Sequence, residues 1–125
     1  MSERNVEVVR SIYERWGAGD FGGDAHLFDP DVVFVLAPEF PEPGTYEGLE
    51  SLVGYVRGLL VPWSEFTIAA EELTADGDRV IAAVLQSGVG RESGSATEFR
   101  YFQVWTLRDE KVVRLENVRT REEAL

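Results

Sequence analysis

The first half of the chain has two stretches in which apolar residues recur with the period of an α-helix. The first predicts an amphipathic helix that ends at Gly17 and Gly19. Its apolar positions are Val6, Val9, Ile12, Tyr13 and Trp16. The second predicts a helix over residues 49–60, closed by Pro62. A short helix is also predicted between them, over residues 24–28, and Pro30 ends it.

The second half of the chain follows the pattern of β-strands. Strands are predicted over residues 32–37, 65–74, 79–88, 97–107 and 111–119. Residues 76–78 and 108–110 are predicted to be short hairpin turns, and residues 89–95 a longer, glycine-rich connection. The proline-containing stretch 38–44 is predicted to be irregular. Residues 80–85 are apolar on both faces, which predicts a central strand covered on both sides. Helices followed by consecutive hairpins favour an α+β fold, with the helices on one face of an antiparallel sheet.

Glycine interrupts the helix predicted over residues 49–60. Gly54 and Gly58 each weaken a helix by roughly 1 kcal/mol relative to alanine. We expect them to permit close packing against a neighbouring element.

Composition narrows the classes of function. The 125 residues suit a single domain over 1–125. There is no cysteine, which excludes disulfides, thiol catalysis and thiolate metal sites. The formal net charge of -11 would repel phosphate backbones, so no nucleic-acid partner is expected. No signal peptide is apparent, and the longest apolar run is too short to span a membrane. We therefore expect a cytoplasmic protein with no membrane partner.

Several short motifs, in order along the chain, resemble those of one superfamily. They are Val9-Arg10-Ser11-Ile12-Tyr13, Phe28-Asp29-Pro30-Asp31-Val32, Tyr46-Glu47-Gly48, Val104-Trp105-Thr106-Leu107-Arg108-Asp109 and Thr120-Arg121-Glu122-Glu123-Ala124-Leu125. On these residues the chain resembles the nuclear transport factor 2-like superfamily, and within it the polyketide-cyclase (SnoaL-like) branch. The resemblance implies a cone-shaped α+β fold with about three N-terminal helices packed on a curved antiparallel sheet of four to six strands. It also implies a cavity between helices and sheet, and often a homodimer through the outer face of the sheet.

The resemblance also tests two chemistries. Ketosteroid isomerases of this fold use a tyrosine on the first helix, which Tyr13 matches, and an aspartate base, whose position falls near Leu36. Leucine cannot move a proton, so that mechanism lacks its base. The cyclases and related epoxide hydrolases use an aspartate on the last long strand, where this chain has Asn117. Tyr13 could instead be a core residue, and Asn117 a strand-end residue that binds backbone.

Three further polar residues are candidates. Gln103 shares a strand face with Tyr101 and Trp105, although alternation does not say whether that face points inward. Glu116 is the carboxylate nearest Asn117 and is a reserve acid or base, but it alternates to the opposite face. His26 is the only histidine, which excludes a His-rich metal site. We predict no metal and no cofactor.

Together these observations predict a pocket protein for a small, apolar or aromatic molecule. The residues predicted to bind it are Tyr13, Trp16, Leu36, Trp63, Gln103, Trp105 and Asn117. Isomerase, cyclase or hydratase activity is left open, with the usual catalytic acids replaced and with Tyr13 and Glu116 as reserve candidates. The alternative is a non-catalytic binding, accessory or dimerisation module. A homodimer is predicted through the sheet face that carries Phe102 and Val104.

Overall fold

The computed structural model describes residues 2–21, 25–40 and 42–125. Its elements are α1 (Ser2–Gly17), a 3-10 turn (Ala25–Leu27), β1 (Phe28–Leu36), β2 (Gly44–Glu47), α2 (Leu49–Leu60), β3 (Trp63–Asp76), β4 (Arg79–Gly90), β5 (Ala96–Arg108), β6 (Lys111–Val118) and α3 (Arg121–Ala124).

In the described part of the chain, six strands form one curved sheet in the order β2-β1-β6-β5-β4-β3. Every neighbouring pair is antiparallel except β1 and β6, which run parallel. The α+β class and the strand number are therefore confirmed, while the expectation of a wholly antiparallel sheet is wrong. The consecutive hairpins from β3 to β6 place the last strand, β6, beside β1, and these two strands run in the same direction. Periodicity marks which segments are strands, but it does not mark the neighbour of each strand.

The helix expectation is matched in part. Among the described residues, α1 and α2 precede most of the sheet, and α3 follows it. The short helix predicted over residues 24–28 is a 3-10 turn at Ala25–Leu27, because Phe28 already starts β1; Asp24 lies outside the described residues. Sequence reasoning did not find β2, which has four residues, three of them exposed.

The concave face of the sheet carries the hydrophobic core. The β4 residues Val80, Ala82 and Val84 point to this face, and across β5 they pair with Trp105, Gln103 and Tyr101. The apolar stripe of α1 packs here: Val9 and Ile12 are fully buried, and Tyr13 and Trp16 nearly so. In contrast, α2 contacts β1 and β2 at the opposite edge of the sheet. The two helices therefore cover opposite ends of the same concave face.

The outer face of the sheet is partly covered by α3. Ala124 packs on Ile81 and Val104 in a separate apolar cluster, and all three are buried. Thr120 caps the helix, its hydroxyl accepting from the backbone N–H of Glu123 at 3.2 Å. The Arg79 guanidinium donates to the carbonyl oxygen of Ala124 at 3.3 Å. Of the residues 80–85, Ile81 is thus buried on the outer face, whereas Ala83 and Leu85 on that face are half-buried. The strand has neighbours on both sides, as predicted.

Candidate functional site

A cavity of about 890 Å³ opens between the two long helices and the concave face of the sheet. Its lining is mainly aromatic and aliphatic. The aromatic members are Trp16, Phe21, Phe34, Phe40, Tyr46, Tyr55, Trp63, Phe66, Phe99 and Tyr101. Many of these rings contact one another edge-on or tilted, as Phe40 does with Tyr101, whose ring centroid lies 5.3 Å away. Such contacts hold the ring orientations and so give the cavity a defined shape.

Two buried amides interrupt the apolar lining. Gln103 on β5 and Asn117 on β6 face each other across the strand pair, and both line the cavity. Both are buried, with exposed fractions of 3% and 6%. The Gln103 side-chain nitrogen Nε2 donates to Asn117 Oδ1 at 3.0 Å. This pairing gives the Gln103 nitrogen an acceptor and the Asn117 oxygen a donor, as buried polar groups need.

The amide pair is anchored to α1 through Tyr13. The Trp105 indole N–H donates to the Tyr13 hydroxyl oxygen at 2.9 Å, and this hydroxyl donates to Gln103 Oε1. A hydrogen-bonded chain therefore runs from the core to the cavity through Trp105, Tyr13, Gln103 and Asn117. Every member of this chain is neutral.

Burial favours the protonated form of Tyr13 and Tyr101. Desolvation raises the pKa of Tyr13 well above its ordinary value, although the hydrogen bond from Trp105 opposes the shift. Desolvation likewise raises the pKa of Tyr101, whose hydroxyl donates to Gln86 Oε1 at 3.0 Å. Neither hydroxyl can act as a base at neutral pH, and Tyr13 already donates its proton to Gln103.

Charged groups in the lining lie at its exposed edge. Glu39 and Glu42 are exposed, as is Arg119, whose guanidinium lies 4.7 Å from the centre of the Phe99 ring. Within the described residues, the buried part of the lining has no carboxylate. The described chain also has no group of three or more His, Cys, Asp or Glu placed to hold a metal. The site can therefore bind and orient a molecule, but its buried wall offers no acid–base pair.

The structure divides the predicted binding residues into two sets. Trp16, Trp63, Gln103 and Asn117 line the cavity. Tyr13, Leu36 and Trp105 are not in the lining; they lie in the core cluster. Leu36 pairs with Asn117 across the parallel strands β1 and β6 and is 2% exposed. This second set therefore packs behind the wall, and Tyr13 and Trp105 support the amides by hydrogen bonding.

Glu116 lies on the outer face of the sheet. It pairs with Val35 and Val104 in the sheet register, and its carboxylate forms an ion pair with Arg114 at 3.2 Å. The alternation of β6 continues without a bulge between Glu116 and Asn117. The reserve role of Glu116 as an acid or base in the cavity therefore does not hold.

Sequence reasoning missed several lining residues that share a strand face with those it found. Phe99 alternates with Tyr101 and Gln103 on β5, and Phe66 alternates with Ile68 on β3. Period-two alternation could have identified them once one residue of each strand was assigned to the concave face. Phe21, Phe40 and Tyr46 lie in loops or on a short edge strand, where no periodic signal exists.

The glycines of α2 do not pack against a neighbour. Gly54 and Gly58 both line the cavity, and a Cβ built at either position would meet no atom within 4 Å in the described structure. The expectation of close packing at these positions is therefore wrong for the described chain. The glycines leave open space beside the helix instead.

Known proteins share this fold. The family model for the SnoaL-like domain matches residues 9–115. A structure assigned as a SnoaL-like polyketide cyclase, from Jannaschia sp. CCS1, is 19% identical with a TM-score of 0.81, and the match covers 93% of this chain and 85% of the other. An NTF2-like protein from Burkholderia thailandensis E264 is 26% identical with a TM-score of 0.80, covering 90% and 88%. TerC, co-crystallised with polyporic acid, is 21% identical with a TM-score of 0.79, covering 96% and 94%. No curated protein is significantly similar to the chain in sequence.

The family match covers most of the chain, so this protein belongs to the SnoaL-like domain family, within the nuclear transport factor 2-like fold. Such a fold carries many activities, so the site and not the fold must decide the function. Within the described residues, no helix is both long and apolar enough to cross a membrane.

Proposed function

We propose that this chain is a small-molecule pocket protein that binds an apolar, most often aromatic, ligand between its helices and its sheet. The observation that carries the proposal is the cavity of about 890 Å³, which has aromatic walls and a buried pair of hydrogen-bonded amides in its lining. Ligand pockets are typically about 300–1,000 Å³, apolar, and furnished with a few placed polar groups. The cavity has each of these properties.

Binding is proposed ahead of catalysis. An isomerase, cyclase or hydratase would need a group that moves a proton, and such help contributes about 10²–10⁴-fold to rate. By the resemblance to the family, Asn117 falls where the related cyclases use an aspartate, and the position of the isomerase base falls near Leu36. Any reaction in this cavity would therefore depend on orienting the ligand and on hydrogen bonds to neutral amides.

Tryptophan fluorescence offers the test, because Trp16 and Trp63 line the cavity. Titration with apolar aromatic molecules should quench or shift this emission in a saturable way. Gly58→Leu, which places a side chain beside the cavity, should weaken the response. Gly17→Leu is the matched control, because Gly17 is exposed at the end of α1 and outside the lining. Equal binding by both variants, or no saturable binding by the wild type, would contradict the proposal.

A homodimer through the outer face belongs to the same proposal. Val33, Val35, Ala83, Leu85 and Phe102 alternate to this face and remain half-buried. Exposed apolar surface of several hundred Å² commonly marks an interface. Val104 is not available for such contact, because α3 already covers it. Light scattering should give twice the mass of one chain, and Leu85→Arg should return the mass of one chain.

The dimer separates the proposal from its rival. A dimer that binds no apolar molecule would support a dimerisation module in place of a pocket protein. We keep a cytoplasmic location, and no nucleic-acid or membrane partner, as expectations from the composition and charge.

A further inference from the structure

The hydrogen-bonded chain behind the cavity has a direction, and the Tyr13 hydroxyl sets it. The Trp105 side chain is fully buried, and its indole N–H donates to the Tyr13 hydroxyl oxygen at 2.9 Å. An indole nitrogen can donate but cannot accept. The Tyr13 oxygen must therefore accept this bond, which leaves its single proton to be donated elsewhere. That proton goes to the neighbouring Gln103.

This direction passes through the amides to the cavity. Because Tyr13 donates, the Gln103 atom that it meets must be the oxygen, and the nitrogen Nε2 points to Asn117. Asn117 must then accept through Oδ1, which leaves its nitrogen Nδ2 as the free end. Oxygen and nitrogen of an amide are ordinarily assigned from such a network. Here the proton that Tyr13 donates to Gln103 fixes both amides.

Asn117 ends the chain at the cavity. It lines the cavity, and within the described residues Nδ2 has no protein acceptor. Trp16 and Trp63 also line the cavity, and their indole nitrogens are donor-only and lack a partner in the described structure. These two groups add no acceptor to the wall. The carboxylates that could accept, Glu39 and Glu42, lie at the exposed edge.

We infer that Asn117 offers an N–H donor to the ligand, with its orientation set by the Tyr13 hydroxyl proton through Gln103, and that the ligand meets it with an acceptor oxygen. The chemical class is a ketone or quinone carbonyl, or an enolate or phenolate oxygen, on an apolar frame. This inference rests on the proposed function and adds to it the kind of polar group that the ligand carries. Asn117 is the residue that contacts the ligand, and Tyr13, Gln103 and Trp105 are positioning residues.

Three probes of nearly equal shape test the inference: fluorene, which has no oxygen, fluorenone, which has a carbonyl, and fluorenol, which has a hydroxyl. Isothermal titration should show that the wild type binds fluorenone about 2- to 12-fold tighter than fluorene, the gain from one net hydrogen bond. Asn117→Asp still accepts from Gln103, but it turns an acceptor toward the cavity. In this variant at mildly alkaline pH the fluorenone preference should vanish and fluorenol should bind better than fluorenone.

Tyr13→Phe tests the positioning role. Without the hydroxyl donor, Gln103 no longer has to present Oε1 to α1, and both amides can reverse. The ratio of fluorenone to fluorene affinity should then fall toward one, while fluorene itself still binds. A structural role alone would weaken all three probes equally.

If a variant does not fold, a measurement on the wild type still tests the inference. In amide NMR spectra, fluorenone should shift the side-chain NH₂ signals of Asn117, and fluorene should not. Equal affinity for fluorene and fluorenone, with no selective shift at Asn117, would overturn the inference while leaving the proposed function intact. Failure of all three probes to bind would contradict the proposed function itself, and the inference with it.

Discussion

Replacing Gly54 and Gly58 of α2 by alanine should stabilise the protein and weaken its ligand binding at the same time. Both glycines lie within the helix, and both line the cavity. A Cβ at either position meets no atom within 4 Å in the described structure, so alanine fits without strain. Substitutions at cavity-lining residues ordinarily lower the stability of the protein as well as its affinity for the ligand. Here the two effects run in opposite directions.

The magnitude follows from helix propensity. Alanine is about 0.8–1.0 kcal/mol more favourable than glycine in a helix interior, so the double variant should gain roughly 1.6–2 kcal/mol. For a chain of this length, each kcal/mol shifts Tm by about 3–5 °C, which predicts a rise of about 5–10 °C. The two added methyl groups narrow the space beside the helix. Affinity for an aromatic probe should therefore fall, and more for larger probes.

The assay is thermal unfolding followed by circular dichroism, paired with probe titration. Gly17→Ala in α1 is the control: it also has no neighbour within 4 Å, but it lies outside the lining. It should raise Tm by a smaller amount, because it lies at the helix end, and leave binding unchanged. A double variant with lower Tm than the wild type would refute the reasoning.

Three further changes test the buried network. Asn117→Leu leaves Gln103 Nε2 without its acceptor, so the free energy of unfolding should fall by about 1–3 kcal/mol in denaturant titration; no change would mean that water replaces the amide. Tyr13→Phe removes the partner of both Trp105 and Gln103 and should cost at least as much, whereas a stable variant would mean that this network adds nothing. Burial raises the pKa of Tyr13 and Tyr101 above the value of about 10 that tyrosine has in the unfolded chain. The stability that these two tyrosines contribute is therefore present below about pH 10 and is lost as the pH rises above it. Tyrosinate absorbance of these two residues should therefore appear only with unfolding, and its appearance in the folded protein would contradict their burial.

The elements with a strong period were predicted well from the sequence. The helix over residues 49–60 has the bounds of α2, and the four later strands differ from β3 to β6 by a few residues at their ends. In each of these segments the apolar period and the flanking turn residues agree. Where one of the two is absent, as in β2, the element was missed.

The relations between elements were harder to predict, because they depend on contacts far apart in sequence. The parallel pairing of β1 with β6 leaves no local signal. Gln103 was known to share a face with Tyr101 and Trp105, but only the packing of α1 identifies that face as concave.

The candidate site was predicted in part for the same reason. Alternation places Asn117 and Glu116 on opposite faces, and the structure assigns the cavity to Asn117. Alternation does not distinguish a residue that lines the cavity from a residue that lies directly behind the cavity wall. Leu36 and Trp105 point to the concave side yet pack in the core with Tyr13 of α1, whose ring contacts that of Trp105 edge-on.

Native mass spectrometry of the freshly purified protein tests the central claim most directly. The account predicts that the wild type carries, or takes up from an excess of fluorenone, one small apolar molecule per chain. This molecule should be released on denaturation and should be largely absent from Gly58→Leu. A wild type that shows only the bare chain mass in both conditions would contradict the claim that the cavity is a ligand site.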